Sequence, residues 1–292
     1  MSNGDGVTAM ESIWKTIEVA RHPDRPYSLD YIKRLAPDFV EFHGDRLAAD
    51  DPALVGGLGS WRGMTVMFFG QQKGRNLADR VKRNFGMMHP EGYRKAIRLA
   101  RQAAKFGFPI ISLIDTPGAY PGAGAEERGI AAAIAMAIME WFRVPVPVVA
   151  AIIGEGGSGG ALGMAVADRV LMLENSIYSV AMPEAAASIV WRDSARKQEA
   201  AQQLRITAPE LLRMGVVDEI IREPDGGAHN DFEQVAWELD RALMRHLAPL
   251  MAEQTAELLQ RRYERFRYID SLVRAMPEFG PKIPSPTAPA PS

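Results

Sequence analysis

The chain has no cysteine among its 292 residues, which excludes disulfides, thiolate nucleophiles and cysteine-based zinc sites. Neither sign of charge prevails. Thirty-four Lys and Arg face 36 Asp and Glu, so net charge gives no reason to expect a nucleic-acid or membrane partner. Residues 1–7 are polar and Gly-rich, without the basic-then-apolar run of a secretory signal. The most apolar stretch, 130–153, is interrupted by Glu140, Arg143, Pro145 and Pro147, whereas a spanning helix needs about 20 apolar residues. No cluster of metal-ligating residues stands out either. Apolar residues at 47% and charged residues at 24% describe an ordinary globular protein, and a cytoplasmic one is expected.

What is present is an alternating pattern. Periodicity predicts helices over 10–20 and 28–42, the latter with Ser28 as N-cap and Asp30 in its first turn. Strands at 54–59 and 64–70 are joined by a turn at Arg62-Gly63. Then follow helix 91–106, strand 109–114, helix 126–142, strand 146–153, a short helix, and strands 170–173 and 177–180. Helix 208–214 with Gly215 as its C′ residue, strand 216–221, and a helical stretch 231–268 broken at Pro249 complete the pattern. The βα alternation predicts a mostly parallel, layered α/β core. The expected divisions are an N-terminal helical segment (1–27), the core (28–230), C-terminal helices (231–275) and a disordered tail (276–292) holding six prolines.

Two loops carry the chemistry: DTPGAYPG (115–122) and GEGGSGG (154–160), each directly after an apolar strand. Strand, glycine turn, helix is an arrangement that presents unpaired N–H groups, since the first four amides of a helix lack internal partners. The expectation is an oxyanion site of main-chain donors. Gly-rich βα turns also serve packing alone, but two on successive strands favour a ligand, which binds at strand ends of open α/β sheets. Competing readings are weaker. Residues 156–160 match the G-x-S-x-G elbow, yet only His229 and His246 follow it, in a polar loop and a C-terminal helix. GEGGSGG lacks the Walker A lysine, and the dinucleotide match Gly154, Gly156, Gly159 has no acidic partner ending the next strand.

Around these loops the sequence resembles the alpha subunit of bacterial acetyl-CoA carboxylase carboxyltransferase, within the crotonase-like superfamily. The resemblance runs, in order, through RPYSLDYI (from Arg25), GDR (from Gly44), QKGR (from Gln72), KRNFGM (from Lys82), PEGYRKA (from Pro90), IDTPGAYPG (from Ile114), GAEERG (from Gly124), IGEGGSGGAL (from Ile153), EPDGGAH (from Glu223) and RRYERF (from Arg261). It covers roughly 21–268. It departs in a shorter N-terminal segment, in Gln71 where the family has histidine, and in Met182-Pro183-Glu184-Ala185 where the family's turn has glycine for Ala185.

The resemblance implies a crotonase-like spiral of ββα units with N- and C-terminal helical extensions. It also implies transfer of a carboxyl group from carboxybiotin, on a separate biotin carboxyl carrier protein, to acetyl-CoA, giving malonyl-CoA. The partner is a beta carboxyltransferase subunit, zinc-bearing, in an alpha2beta2 assembly. Gly159 and Gly160 then stabilise the biotin oxyanion, Gly118, Ala119 and Gly157 line the biotin pocket, and no metal binds this chain. Gly160→Val is expected to stop transfer while folding survives. Alternatives are a stand-alone hydratase or isomerase of the same fold, with Glu126, Glu127 or Glu155 as acid or base, and a scaffold subunit with a drifted site. The basic run 73–105, ten Lys or Arg against Asp79 and Glu91, is a solvated face or a surface for CoA or the carrier, with Arg80 and Arg83 as phosphate candidates.

Overall fold

The structure, a computed structural model, describes residues 3–274 and 276; the expected tail lies, but for Met276, outside the described residues. Helix α1 (Asn3–Ala20) starts earlier than its periodicity suggested. Helix α2 (Ser28–Leu35) is shorter than expected. The Asp30 carboxylate accepts the Tyr27 N–H at 2.7 Å, so the cap lies one residue earlier than Ser28, whose hydroxyl donates instead to the Gln71 carbonyl. Pro37 disfavours helical backbone at Ala36, and the chain enters a short strand β1 (Val40–Glu41).

Strands β2 (Leu54–Trp61) and β3 (Met64–Gln71) form the expected hairpin, its turn residues Arg62 and Gly63 both at positive φ as a tight hairpin turn requires. Helix α3 (Leu77–Lys82) and a left-handed turn at Asn84–Gly86 lead to α4 (Pro90–Phe106). That helix buries Tyr93, Ala96, Ile97, Ala100 and Ala103 along one stripe and stops at Gly107, which is left-handed. Strand β4 (Ile110–Thr116) is buried throughout. The expected helix 126–142 is two, α5 (Ala123–Glu127) and α6 (Ile130–Trp141), parted by Gly129 at φ +77°. Strand β5 (Val148–Gly157) runs straight into α7 (Ser158–Ala165), followed by β6 (Arg169–Leu173) and β7 (Ile177–Ser179).

Helices α8 (Pro183–Trp191) and α9 (Lys197–Leu204) fill a stretch the sequence left unread. Ala185 sits in the first turn of α8 with ordinary backbone, so the missing glycine imposes no strain. Helix α10 (Ala208–Arg213), a left-handed Gly215 and β8 (Glu219–Ile221) follow. Helix α11 (Phe232–Met251) keeps Pro249 inside its last turn. The break comes after it, at 252–254, before α12 (Thr255–Arg274).

The sheet order is β1-β2-β3-β4-β5-β6-β8, antiparallel up to β3 and parallel from there, with β7 pairing the far end of β5. One face packs on α4, α6 and α7 through Tyr93, Ala133, Trp141 and Ala161. The other packs on α2 and α11 through Ile32, Leu239 and Leu243. No described helix is long and apolar enough to cross a membrane.

Two buried ion pairs clip distant segments to this sheet. Arg25 donates to both Glu223 oxygens (2.9 and 2.5 Å) and to the Ile153 carbonyl, joining the chain before α2 to the middle of β5 and to the segment after β8. Arg262 of α12 pairs with Asp168 and reaches three carbonyls besides. Two of the motifs quoted above, RPYSLDYI and EPDGGAH, therefore meet in one structural contact.

Candidate functional site

The site is built where β5 leaves the sheet. Its first half pairs β6 and its last three residues pair β7, while the register against β4 slips between Ile114 and Thr116. The Asp115 carboxylate fills that irregularity by accepting the Glu155 N–H at 2.9 Å. Both glycine loops thus emerge side by side from adjacent parallel strands.

Their contact is close. A Cβ on Gly157 would overlap the Pro117 carbonyl and lie 2.9 Å from the Gly118 nitrogen. One on Gly160 would lie 2.5 Å from the Ala119 nitrogen and 2.6 Å from the Gly118 oxygen. Backbone can approach backbone this tightly only where no side chain stands between. Gly159 differs, since a Cβ there meets only Ile134, at 3.5 Å. The expectation that folding tolerates Gly160→Val therefore needs correction: valine would drive the two loops apart. Ser158 between them is exposed at φ +51°, a strained position for a residue with a Cβ. No histidine lies within hydrogen-bonding distance of it among the described residues, which removes the serine-hydrolase reading.

Helix α7 begins at Ser158, so the amides of Gly159 and Gly160 belong to its first turn. At that position an amide has no i−4 partner within its own helix. The Ala119 amide donates to no acceptor among the described residues, whereas Gly118 N–H is taken by Thr116 Oγ1 at 3.2 Å. The structure thus brings Gly118, Ala119, Gly157, Gly159 and Gly160 together, with Gly118, Gly157 and Gly160 buried and Ala119 and Gly159 partly open. Beside Gly159 lies an apolar hollow of about 430 Å³ walled by Leu162, Tyr178, Val180, Phe266 and Ile269.

Behind the loops lies an ionic cluster that sequence reasoning missed, because its members come from five separate segments. Lys73 Nζ lies 2.7 Å from Asp115 Oδ1 and 2.8 Å from Glu155 Oε1. Arg21, just after α1, bonds Glu155 and Glu184, each at 2.7 Å. Burial opposes the charge on Lys73, but the two carboxylates outweigh it and hold the ammonium far above its ordinary range. Burial would likewise raise Glu155, yet Lys73 and Arg21 hold it below the usual carboxylate range. Burial pushes Asp115 up against the pull of Lys73. A cavity of about 230 Å³ opens onto this cluster, with Arg80, Phe85 and Pro117 at its wall.

Other candidates fall away. Glu155 is locked between two cations, and Glu126 and Glu127 are exposed on α5. Six of the ten cations in 73–105 are paired with carboxylates of this chain: Lys73, Arg75, Arg83, Arg94, Lys95 and Arg101. Arg83 also donates to the Pro52 carbonyl, and Arg80 alone of the two phosphate candidates stands at a cavity. At the position of the family's histidine, buried Gln71 donates from Nε2 to the Gly160 carbonyl at 2.8 Å.

The family model described as "Acetyl co-enzyme A carboxylase carboxyltransferase-like" matches residues 6–270. The chain belongs to this family. It is 54% identical over 268 residues to the acetyl-coenzyme A carboxylase carboxyl transferase subunit alpha of Sorangium cellulosum, covering 92% of this chain and 83% of that one. Its identity to the Geobacter metallireducens subunit is 54% over 256 residues, covering 88% and 80%. Among solved structures, the Pseudomonas malonate decarboxylase hetero-tetramer in complex with coenzyme A superposes with a TM-score of 0.63 at 18% identity, over 85% of this chain and 98% of that one. The transcarboxylase 12S core superposes at 0.57 and 22% identity, over 74% and 41%. These last two show the fold, which is that of crotonase-like carboxyltransferases.

Proposed function

We propose that this chain is the alpha subunit of an acetyl-CoA carboxylase carboxyltransferase, working with a beta subunit to carboxylate acetyl-CoA to malonyl-CoA. Carboxybiotin, brought by a biotin carboxyl carrier protein, supplies the carboxyl group and leaves negative charge on its ureido oxygen. The observation that carries the reading is the pair of helix-start amides at Gly159 and Gly160, which have no i−4 partner within α7, with Gly160 packed against the Gly118-Ala119 backbone. They hold that charge, helped by the α7 dipole, without reorganisation during the reaction. Ala119 offers a further amide at the same rim, one that donates to no acceptor among the described residues. Gly157 contributes by letting the loops close rather than by touching the ligand.

The small-residue cradle fits a flat ureido ring better than a bulky one, and the apolar hollow beside Gly159 suits the aliphatic chain that tethers it. No described carboxylate here is free to act as a base, which argues against a hydratase. The hollow and the exposed Val180 at its edge leave apolar surface for the beta subunit, with zinc on the partner and two copies of each chain in the complex. We place the enzyme in the cytoplasm.

The test is direct. The chain alone should be inert, and mixing it with a beta-type partner should give malonyl-CoA from carboxybiotin and acetyl-CoA. Hydration of an enoyl-CoA by the chain alone, or no transfer by the complex, would overturn the reading. Gln71→Leu offers a finer check. It removes the side-chain donor to the buried Gly160 carbonyl, a loss of about 0.5–1.5 kcal/mol. We expect kcat to fall about tenfold with both KM values steady.

A further inference from the structure

Three consecutive strand ends, those of β3, β4 and β5, are joined by one side chain. Lys73 follows β3 by two residues, Asp115 is the next-to-last residue of β4, and Glu155 lies three residues before α7. Its ammonium touches both carboxylates at under 3 Å, and the Glu155 N–H returns to Asp115. Asp115 is the first residue of the loop carrying Gly118 and Ala119. Glu155 is the second residue of the loop carrying Gly159 and Gly160. Gln71, two residues before Lys73, holds the Gly160 carbonyl. Gly86 of the left-handed turn after α3 closes on the same place, a Cβ there lying 2.8 Å from the Asp115 carbonyl and 3.0 Å from the Lys73 side chain.

We infer that Lys73 is a positioning residue that sets the register of the two glycine loops, and so the spacing of the amides between them. It reaches none of those amides itself and acts through Asp115 and Glu155. The chemistry favours this assignment. Two carboxylates this close repel, and a single buried cation between them fixes both positions at once. An arrangement that only stabilised the fold would not need to join the start of one glycine loop to the start of the other. The inference rests on the carboxyl-transfer reading for its kinetic consequence and on the geometry alone for its structural one.

The experiment uses the reconstituted complex with Lys73→Met and the charge-balanced double variant Lys73→Met/Asp115→Asn. The side-chain amide introduced at position 115 keeps an oxygen for the Glu155 N–H, and Glu155 keeps Arg21, so no buried charge is left alone in the double variant. We expect Lys73→Met to lower kcat about 30-fold with little change in either KM. The double variant should recover most of the lost melting temperature while kcat stays at least tenfold down. Amide exchange over 154–165 should quicken about tenfold in both variants, with that of α11 unchanged. If kcat returns together with melting temperature in the double variant, Lys73 only stabilises the fold and the inference is overturned. Unchanged exchange over 154–165 overturns it as well. A wild-type complex that transfers no carboxyl group would sink the functional reading, and the exchange measurement would still decide the role of Lys73.

Discussion

Gly160→Ala is expected to lower carboxyl transfer by about two to three orders of magnitude, while Gly159→Ala stays within about tenfold of wild type. The two variants add the same methyl group to adjacent residues and keep both N–H donors. They differ in what the methyl meets. At 160 it collides with the Gly118 carbonyl and the Ala119 nitrogen, and backbone cannot swing aside as a side chain can. At 159 it finds Ile134 at ordinary contact distance. An oxyanion donor acts only within a few tenths of an ångström of its place, and one ångström of displacement costs about a hundredfold. Alanine at 160 must therefore open the gap on which the site depends. Melting temperature should fall for Gly160→Ala and barely move for Gly159→Ala. Equal losses of rate in the two variants, measured in the reconstituted complex with carboxybiotin, would mean that loop spacing does not govern the reaction.

That contrast could not be read from the sequence. The two glycine loops were legible because each follows an uninterrupted apolar strand and one opens a helix. Their meeting was not, since it depends on β4 and β5 being neighbours and slipping register at Asp115. The ionic cluster was hidden for the same reason. Lys73, Asp115 and Glu155 are about 40 residues apart, and nothing local marks Lys73 among the ten cations of its run. Most of that run faces carboxylates of its own chain, and Lys95 is fully buried, donating to the Leu54 carbonyl and pairing with Asp50. Periodicity misjudged ends more than elements. Helix 28–42 ignored Pro37, and helix 126–142 ignored Gly129, whose left-handed backbone no continuous helix accepts. Residues 181–207 have no clean period because α8 and α9 are short and each buries only two residues.

Arg262→Met should be among the most destabilising single changes in the chain, about 3–5 kcal/mol, although residue 262 touches none of the glycine loops. Its side chain is sealed from solvent, as is that of Asp168. The guanidinium donates to both Asp168 oxygens, at 2.8 and 2.7 Å, and to the carbonyls of Trp141, Val144 and Val146 at 2.7–2.8 Å. Those carbonyls lie at the end of α6 and along the turn into β5, where no helix or strand partner takes them. Asp168 in turn accepts the Val148 N–H at 2.8 Å, at the first residue of β5. Methionine would fill much of the volume yet leave one buried carboxylate without its counter-ion and three buried carbonyls without a donor, and the orphaned charge dominates the cost. A loss of this size should lower the melting temperature by roughly 6–15 °C. Arg262→Met/Asp168→Leu removes the charge along with its partner and should recover part of that loss, though the Val148 N–H is then unpaired. The cycle formed by the two single variants and the double measures the coupling directly. Additive effects would show that α12 is held by its apolar face rather than by this clip.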